Sequence, residues 1–152
     1  MRGQRPLLLL AVFLCGNTAR AADWEKNVRE HLCVGLRKEV PVEKRRGKGR
    51  PSAADCVTDE HAIEIDASDH WKEAIGQALY YASQLNKTAG LALVCKRKDT
   101  SCQDDWYRVE AALTAARVRA TVWFCLSPVQ TLAECVREEY GLPSETPAER
   151  SP

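Results

Sequence analysis

The sequence predicts an α/β fold, a mixed central β-sheet flanked by helices and stapled by disulfides. Apolar residues recur at helical spacing in several segments, with continuous or alternating strand-like runs between them. These segments follow one another as helix, a meander of about three strands, helix, strand, helix, strand, helix, the order of a layered α/β domain. Six cysteines remain once a leader-like start is set aside. At 152 residues, 45% hydrophobic and 28% charged, the chain suits one globular domain and excludes collagen-like, coiled-coil and extended disordered classes.

Trp24, Val28, Leu32 and Leu36 recur every four residues, which predicts a first helix over residues 23–37. Glu39 to Val42 reads as a short edge strand that tolerates Pro41. The polar, glycine-containing stretch Lys44 to Pro51 reads as a loop. Residues 53–58 and 62–66 form a hairpin, with Ile63 and Ile65 alternating against Glu64 and Asp66. A second helix begins from Ser68 or Asp69 as N-cap. Trp71, Ala74, Ile75, Ala78, Leu79, Ala82 and Leu85 give it one apolar face, and it stops near Thr88-Ala89-Gly90. The apolar run 91–95 is a central buried strand. Trp106, Val109, Leu113 and Ala116 mark a third helix, residues 120–126 another apolar strand, and residues 128–140 a last helix. Right-handed crossovers make the later strands parallel neighbours. Residues 143–152 read as a disordered tail.

Residues 1–21 have the form of a cleavable signal peptide. Arg2 and Arg5 precede the uncharged apolar run Leu7 to Leu14, and Ala19-Arg20-Ala21 has the small-x-small form of a cleavage site. The run is too short for a bilayer, which needs about 20 residues. One domain over residues 22–142, exported to the periplasm or secreted and not held in a membrane, is the expectation. Removing three of the 22 basic residues and no acid leaves 19 against 21, so bulk charge predicts no nucleic-acid partner.

An even number of cysteines in an exported chain reads as disulfides. Cys95 and Cys102 bracket a polar loop between a strand and a helix, and a bridge there needs only a tight turn. The other pairings stay open. The chain has no CxxC pair, and its three histidines lack zinc-finger spacing.

If the hairpin turn holds two or four residues, opposed positions sum to 119. Val57 then faces Ala62, Cys56 faces Ile63 and Asp55 faces Glu64. Period-two alternation puts Asp66 on the face of Glu64. Opposed carboxylates repel unless something compensates them, and a divalent cation with hard oxygen ligands would do so. The alternative is an ordinary solvated face. On the second helix His70, Gln77 and Tyr81 share one flanking stripe, which the strand-to-helix connection could carry toward the acids or leave as hydrogen-bonding groups at the helix edge.

The stretch Asp55 to Asp66, followed by Trp71-Lys-Glu-Ala-Ile-Gly-Gln77-Ala-Leu-Tyr-Tyr81-Ala, resembles the restriction-endonuclease-like PD-(D/E)xK phosphodiesterases, with the Gln-x-x-x-Tyr helix of their RecB-like branch. The resemblance spans residues 39–95 and implies a restriction-endonuclease-like core. It also implies Mg2+ or Mn2+ held by Asp55 and Glu64, with Asp66 beside them, and Gln77 and Tyr81 as the helix pair. Asp66 stands where that family places a lysine that helps to activate water. His70, about 20° around the helix from Gln77, is better placed to substitute than Lys72, about 140° away. Histidine can serve as a general base.

Nucleic acid is the partner class that follows from this resemblance. Lys44, Arg45, Arg46, Lys48 and Arg50 place five cations in seven residues directly before the strand of Asp55, where a phosphate backbone could lie. Lys96, Arg97 and Lys98 form a second cluster at the end of the central strand. Two functions follow. One is an exported metal-dependent nuclease or related phosphodiesterase. The other is a non-catalytic exported protein that keeps a degenerate nuclease-like fold for binding or structure. No Ser-His-Asp motif, nucleotide loop or dinucleotide fingerprint is present. Nothing in the pattern sets the oligomeric state.

Overall fold

In a computed structural model of the chain, residues 16–42, 52–96 and 101–141 are described, with side chains from Asp23 onward in the first helix. The elements run α1 (Gly16–Leu32), β1 (Arg37–Pro41), β2 (Ala53–Val57), β3 (His61–Ala67), α2 (Trp71–Leu85), β4 (Thr88–Cys95), α3 (Ser101–Ala116), β5 (Ala120–Leu126) and β6 (Val136–Tyr140). The six strands form one sheet in chain order. Neighbours β1–β2, β2–β3 and β5–β6 are antiparallel, whereas β3–β4 and β4–β5 are parallel.

The two faces of the sheet bury different sets of side chains. On one side Trp24, Val28 and Leu32 of α1 pack on Ile63, Ile65, Ala92, Val94 and Trp123. On the other, Ala74, Ala78 and Ala82 of α2 join Val109 and Leu113 of α3 over Ala62, Leu91, Leu93, Val122 and Phe124. Alanine at four-residue spacing lets α2 lie close to β3 and β4. Gly90 performs the same service within the sheet, since a Cβ there would stand 2.8 Å from Ile63 Cγ1 and 3.1 Å from Trp123 Cζ3.

Three disulfides staple the layers, as the even cysteine count implies. Cys33–Cys56 ties the end of α1 to β2, Cys95–Cys102 joins β4 to α3 as expected, and Cys125–Cys135 joins β5 to the segment before β6. They suit an oxidising compartment. No helix among the described residues is long and apolar enough to cross a membrane.

Several sequence expectations are corrected. The first helix ends at Leu32 rather than residue 37, where Gly35 turns the chain at φ 76°. It begins at Gly16, inside the stretch read as a leader. The second helix stops at Leu85 because Asn86 adopts a left-handed cap, its N–H donating to the Ala82 carbonyl, so β4 starts at Thr88. Before that helix a short 3-10 turn takes residues 68–70, and no side chain caps the helix itself.

The predicted last helix does not form. Residues 132–134 make one 3-10 turn, and 136–140 pair antiparallel with β5. Leu132, Val136 and Tyr140 have helical spacing, but the Cys125–Cys135 bridge holds this segment against β5. Alternation then sends Val136 and Tyr140 toward Trp106 and Phe124, while Arg137 lies over the Trp123 ring. The expected basic loop 44–50, the cations Arg97 and Lys98, residues 1–15 of the leader and the tail 143–152 lie outside the described residues.

Candidate functional site

The acids gather where β2 and β3 part. Cys56 pairs with Ile63 and Val57 with Ala62, the register inferred from the sequence. Beyond Cys56 the pairing stops. Asp55 Oδ2 instead accepts the Ile65 N–H at 2.9 Å, so this carboxylate enters the backbone ladder. The β1–β2 pairing likewise passes over Glu39 and Asp55, and Glu39 sits at φ 46°. Because Ile63 and Ile65 face α1, alternation places Glu64 and Asp66 on the α2 side.

Arg29 of α1 reaches this gap. Its Nη1 stands 2.7 Å from Asp55 Oδ1 and its Nη2 3.1 Å from Glu39 Oε1. Asp55 is 5% exposed and Glu64 7%. Glu64 Oε2 is buried and has no hydrogen-bond partner among the described residues. Burial, then the charges of Asp55 and Asp66, push the Glu64 carboxyl up to about 9, so it carries its proton at neutral pH. Burial also raises Asp66, against the Ala67 N–H and His70, which pull it down. Tyr81 of α2, itself buried, is pushed up to about 12 by burial and then by the Glu64 and Asp55 charges.

The remaining predicted site residues lie as follows. His70 is exposed, with Nδ1 3.3 Å from Asp66 Oδ1. Gln77 is exposed, although it lies one helical turn before the buried Tyr81 on α2. Lys72 is exposed, with Nζ 5.5 Å from the Trp71 ring centre. Lys96 rests over the Trp24 ring, 3.2 Å from its centre.

Two residues of the cluster went unread in the sequence, Glu25 and Arg29. Glu25 is raised by burial and then by the Asp55 and Asp66 charges, which makes it a fourth acid within electrostatic reach. Four residues apart on one helix, the pair has the spacing of an ordinary surface ion pair, and only the packing of α1 on the sheet shows otherwise.

Among the described residues, no three His, Cys, Asp or Glu side chains are grouped closely enough to hold a metal ion. Chemically the donors still suit one. All are hard carboxylate oxygens, and one of them is buried without a partner among the described residues. Both oxygens of Asp55 are taken, by Arg29 and by the Ile65 N–H. No protein-family model, curated protein or solved structure matches this chain.

Proposed function

We propose that this chain is an exported, divalent-cation-dependent phosphodiesterase of the nuclease type on a restriction-endonuclease-like core, with Asp55, Glu64 and Asp66 as the residues that would hold Mg2+ or Mn2+. The observation that carries the reading is Glu64, a carboxyl buried among other carboxylates with one oxygen unpartnered among the described residues. A buried polar atom left so costs about 1–3 kcal/mol, a cost that a bound cation would remove. The order of α1, the three-strand meander, α2 and β4 supports the reading as well. A divalent cation at such a site supplies Lewis-acid polarisation of a phosphoryl oxygen and a water acidic enough to attack at neutral pH.

The chain's own residues would do the rest. Asp66 orients the His70 ring through Nδ1, which leaves Nε2 to take a proton from the attacking water. Tyr81 on α2 would offer a hydroxyl that stays protonated. Nucleic acid is the substrate class, its backbone approaching along the basic stretch Lys44 to Arg50 that precedes β2 in the chain.

One observation favours a second reading, a non-catalytic protein on the same scaffold. Arg29 already neutralises Asp55, so the acids are partly compensated without a metal. Calorimetry of Mg2+ and Mn2+ into the mature protein, beside cleavage of DNA and RNA, separates the two. Metal binding with cleavage that is lost in Glu64→Ala supports the phosphodiesterase. If the wild type neither binds metal nor cleaves, the non-catalytic reading stands.

A further inference from the structure

We infer that the two cavities that meet at Arg137 form one binding site for a small amphipathic monoanion, an aliphatic carboxylate in chemical class. Its charged group would sit beside His61 and Arg119, and its chain over Trp123. Neither cavity is lined by Asp55, Glu64 or Asp66, so the site stands apart from those acids.

Alternation along the strands gives the site its face. His61, Thr121 and Glu139 lie on the side of the sheet that carries Ile63, Ile65 and Trp123, near where β3 and β5 begin, and Arg137 stands opposite Trp123. There the sheet opens into a cavity of about 480 Å³. His61 is 7% exposed and its Nε2 stands 2.9 Å from Thr121 Oγ1, so the ring reaches across β4 and is fixed at both ends. Its Nδ1 lies 4.0 Å from Glu60 Oε2, too far for a hydrogen bond. Burial lowers the His61 pKa, and a neutral ring leaves the charge of the cavity to its other groups.

Among the described residues those groups are Lys87, Arg119 and Arg137 against Glu60 and Glu139, an excess of one positive charge. Arg137 holds Glu139 at 2.6 Å, and Lys87 donates to the Asp59 carbonyl. Arg119 is exposed and makes no ion pair among the described residues. One uncompensated cation beside a fixed imidazole suits a singly charged anion. A carboxylate could accept from Arg119 and from His61 Nδ1–H, in the tautomer where the Thr121 hydroxyl donates to Nε2.

Arg137 also lines the second cavity, of about 540 Å³, whose wall is mostly apolar, with Leu32, Val34, Leu36, Trp123 and Leu132 in it. The indole joins the two. Arg137 Cζ lies 5.8 Å from its ring centre, and the His61 ring meets it edge-on at 5.3 Å. Val34, 69% exposed, leaves apolar surface on this groove that an aliphatic chain would cover. Each methylene buried there should raise affinity about three- to fourfold.

The test is calorimetry of octanoate, hexanoate, octan-1-ol and inorganic phosphate into the mature protein, in EDTA so that no divalent cation takes part. Octanoate should bind more tightly than octan-1-ol and about tenfold more tightly than hexanoate. Arg119→Gln and Arg137→Gln should each weaken octanoate about fivefold or more and leave octan-1-ol within about twofold, whereas Val34→Asn should weaken both. All three side chains are exposed, so folding is not at stake. Lys26→Gln, at an exposed lysine that lines neither cavity, should change octanoate binding by no more than about twofold. Equal losses in Lys26→Gln and Arg119→Gln would reduce the cavity to general surface charge and overturn the inference. Equal affinity for octanoate and octan-1-ol overturns it as well, since the anion would then have no part. Equal affinity for octanoate and hexanoate, or phosphate bound as tightly as octanoate, would leave an anion site without a groove and overturns it too. No octanoate binding at about 10 mM, enough to reveal even a millimolar Kd, overturns it outright.

Discussion

Cys33 and Cys56 are bonded with their Cα atoms 5.6 Å apart, which anchors the end of α1 beside β2 one residue from Asp55. The same bridge lies four residues after Arg29, so a covalent link and an ion pair hold the same helix turn against the same strand. The loop it closes spans 23 residues. Paired replacement Cys33→Ala/Cys56→Ala should therefore cost about 2–4 kcal/mol in denaturant unfolding, most of it through the freed unfolded chain. A loss well below 1 kcal/mol would mean that packing of Trp24, Val28 and Leu32 alone fixes α1.

Glu64 gives a pH dependence with a definite sign. Its carboxyl is raised in the fold from 4.5 to about 9, burial being the main cause, so the native state binds a proton that the unfolded chain releases between those values. Stability from this group is complete below about 4.5 and is lost as pH climbs toward 9. Glu64→Gln stays neutral throughout. The variant should match the wild type near pH ~4 and exceed it by roughly 3–5 kcal/mol near pH ~8 without added metal. Melting curves across that range check this, and parallel curves for the two proteins would contradict it.

Gly90 sits at a close approach inside the sheet. A methyl group there meets Ile63 Cγ1 at 2.8 Å and the Ala62 carbonyl oxygen at 3.3 Å, and the backbone atom cannot rotate away. Gly90→Ala should destabilise by about 1–3 kcal/mol. In an Ile63→Ala background the cost should shrink, since the closest atom is gone, and equal costs in both backgrounds would place the strain elsewhere.

Much of this architecture was legible in local pattern. The alternation of Ile63 and Ile65 with Glu64 and Asp66, and the continuous apolar runs of β4 and β5, identify strands because burial on one or two faces demands those periods. The 119 register is borne out at Cys56 and Val57, since it follows from turn length alone. It does not carry through to Asp55, where the strands part and the side chain takes the Ile65 N–H, because nothing local records the splay. The segment after Pro128 misled for a related reason. Its helical spacing is real, and a disulfide and strand pairing override it. Arg29 was invisible for the simplest reason, its partner being 26 residues away in sequence.

The contrast between His70 and Lys72 tests the proposed chemistry at the residues nearest to it. Both lie at the start of α2 and both are exposed, so neither replacement should disturb the fold by much more than about 0.5 kcal/mol. Their partners differ. His70 Nδ1 stands 3.3 Å from Asp66 Oδ1, within the acid cluster, while Lys72 Nζ lies over the Trp71 ring. A general base contributes about 10²–10⁴ in rate, and it must reach the proton it takes. His70→Ala should therefore lower kcat for metal-dependent cleavage by ~100-fold or more, with KM little changed, and should remove one limb of the pH–rate profile. Lys72→Ala should stay within about threefold of the wild type. A larger loss in Lys72→Ala than in His70→Ala would move the proton transfer to the other side of the helix, toward Trp71, and would make the Asp66–His70 contact a surface pair with no part in the reaction.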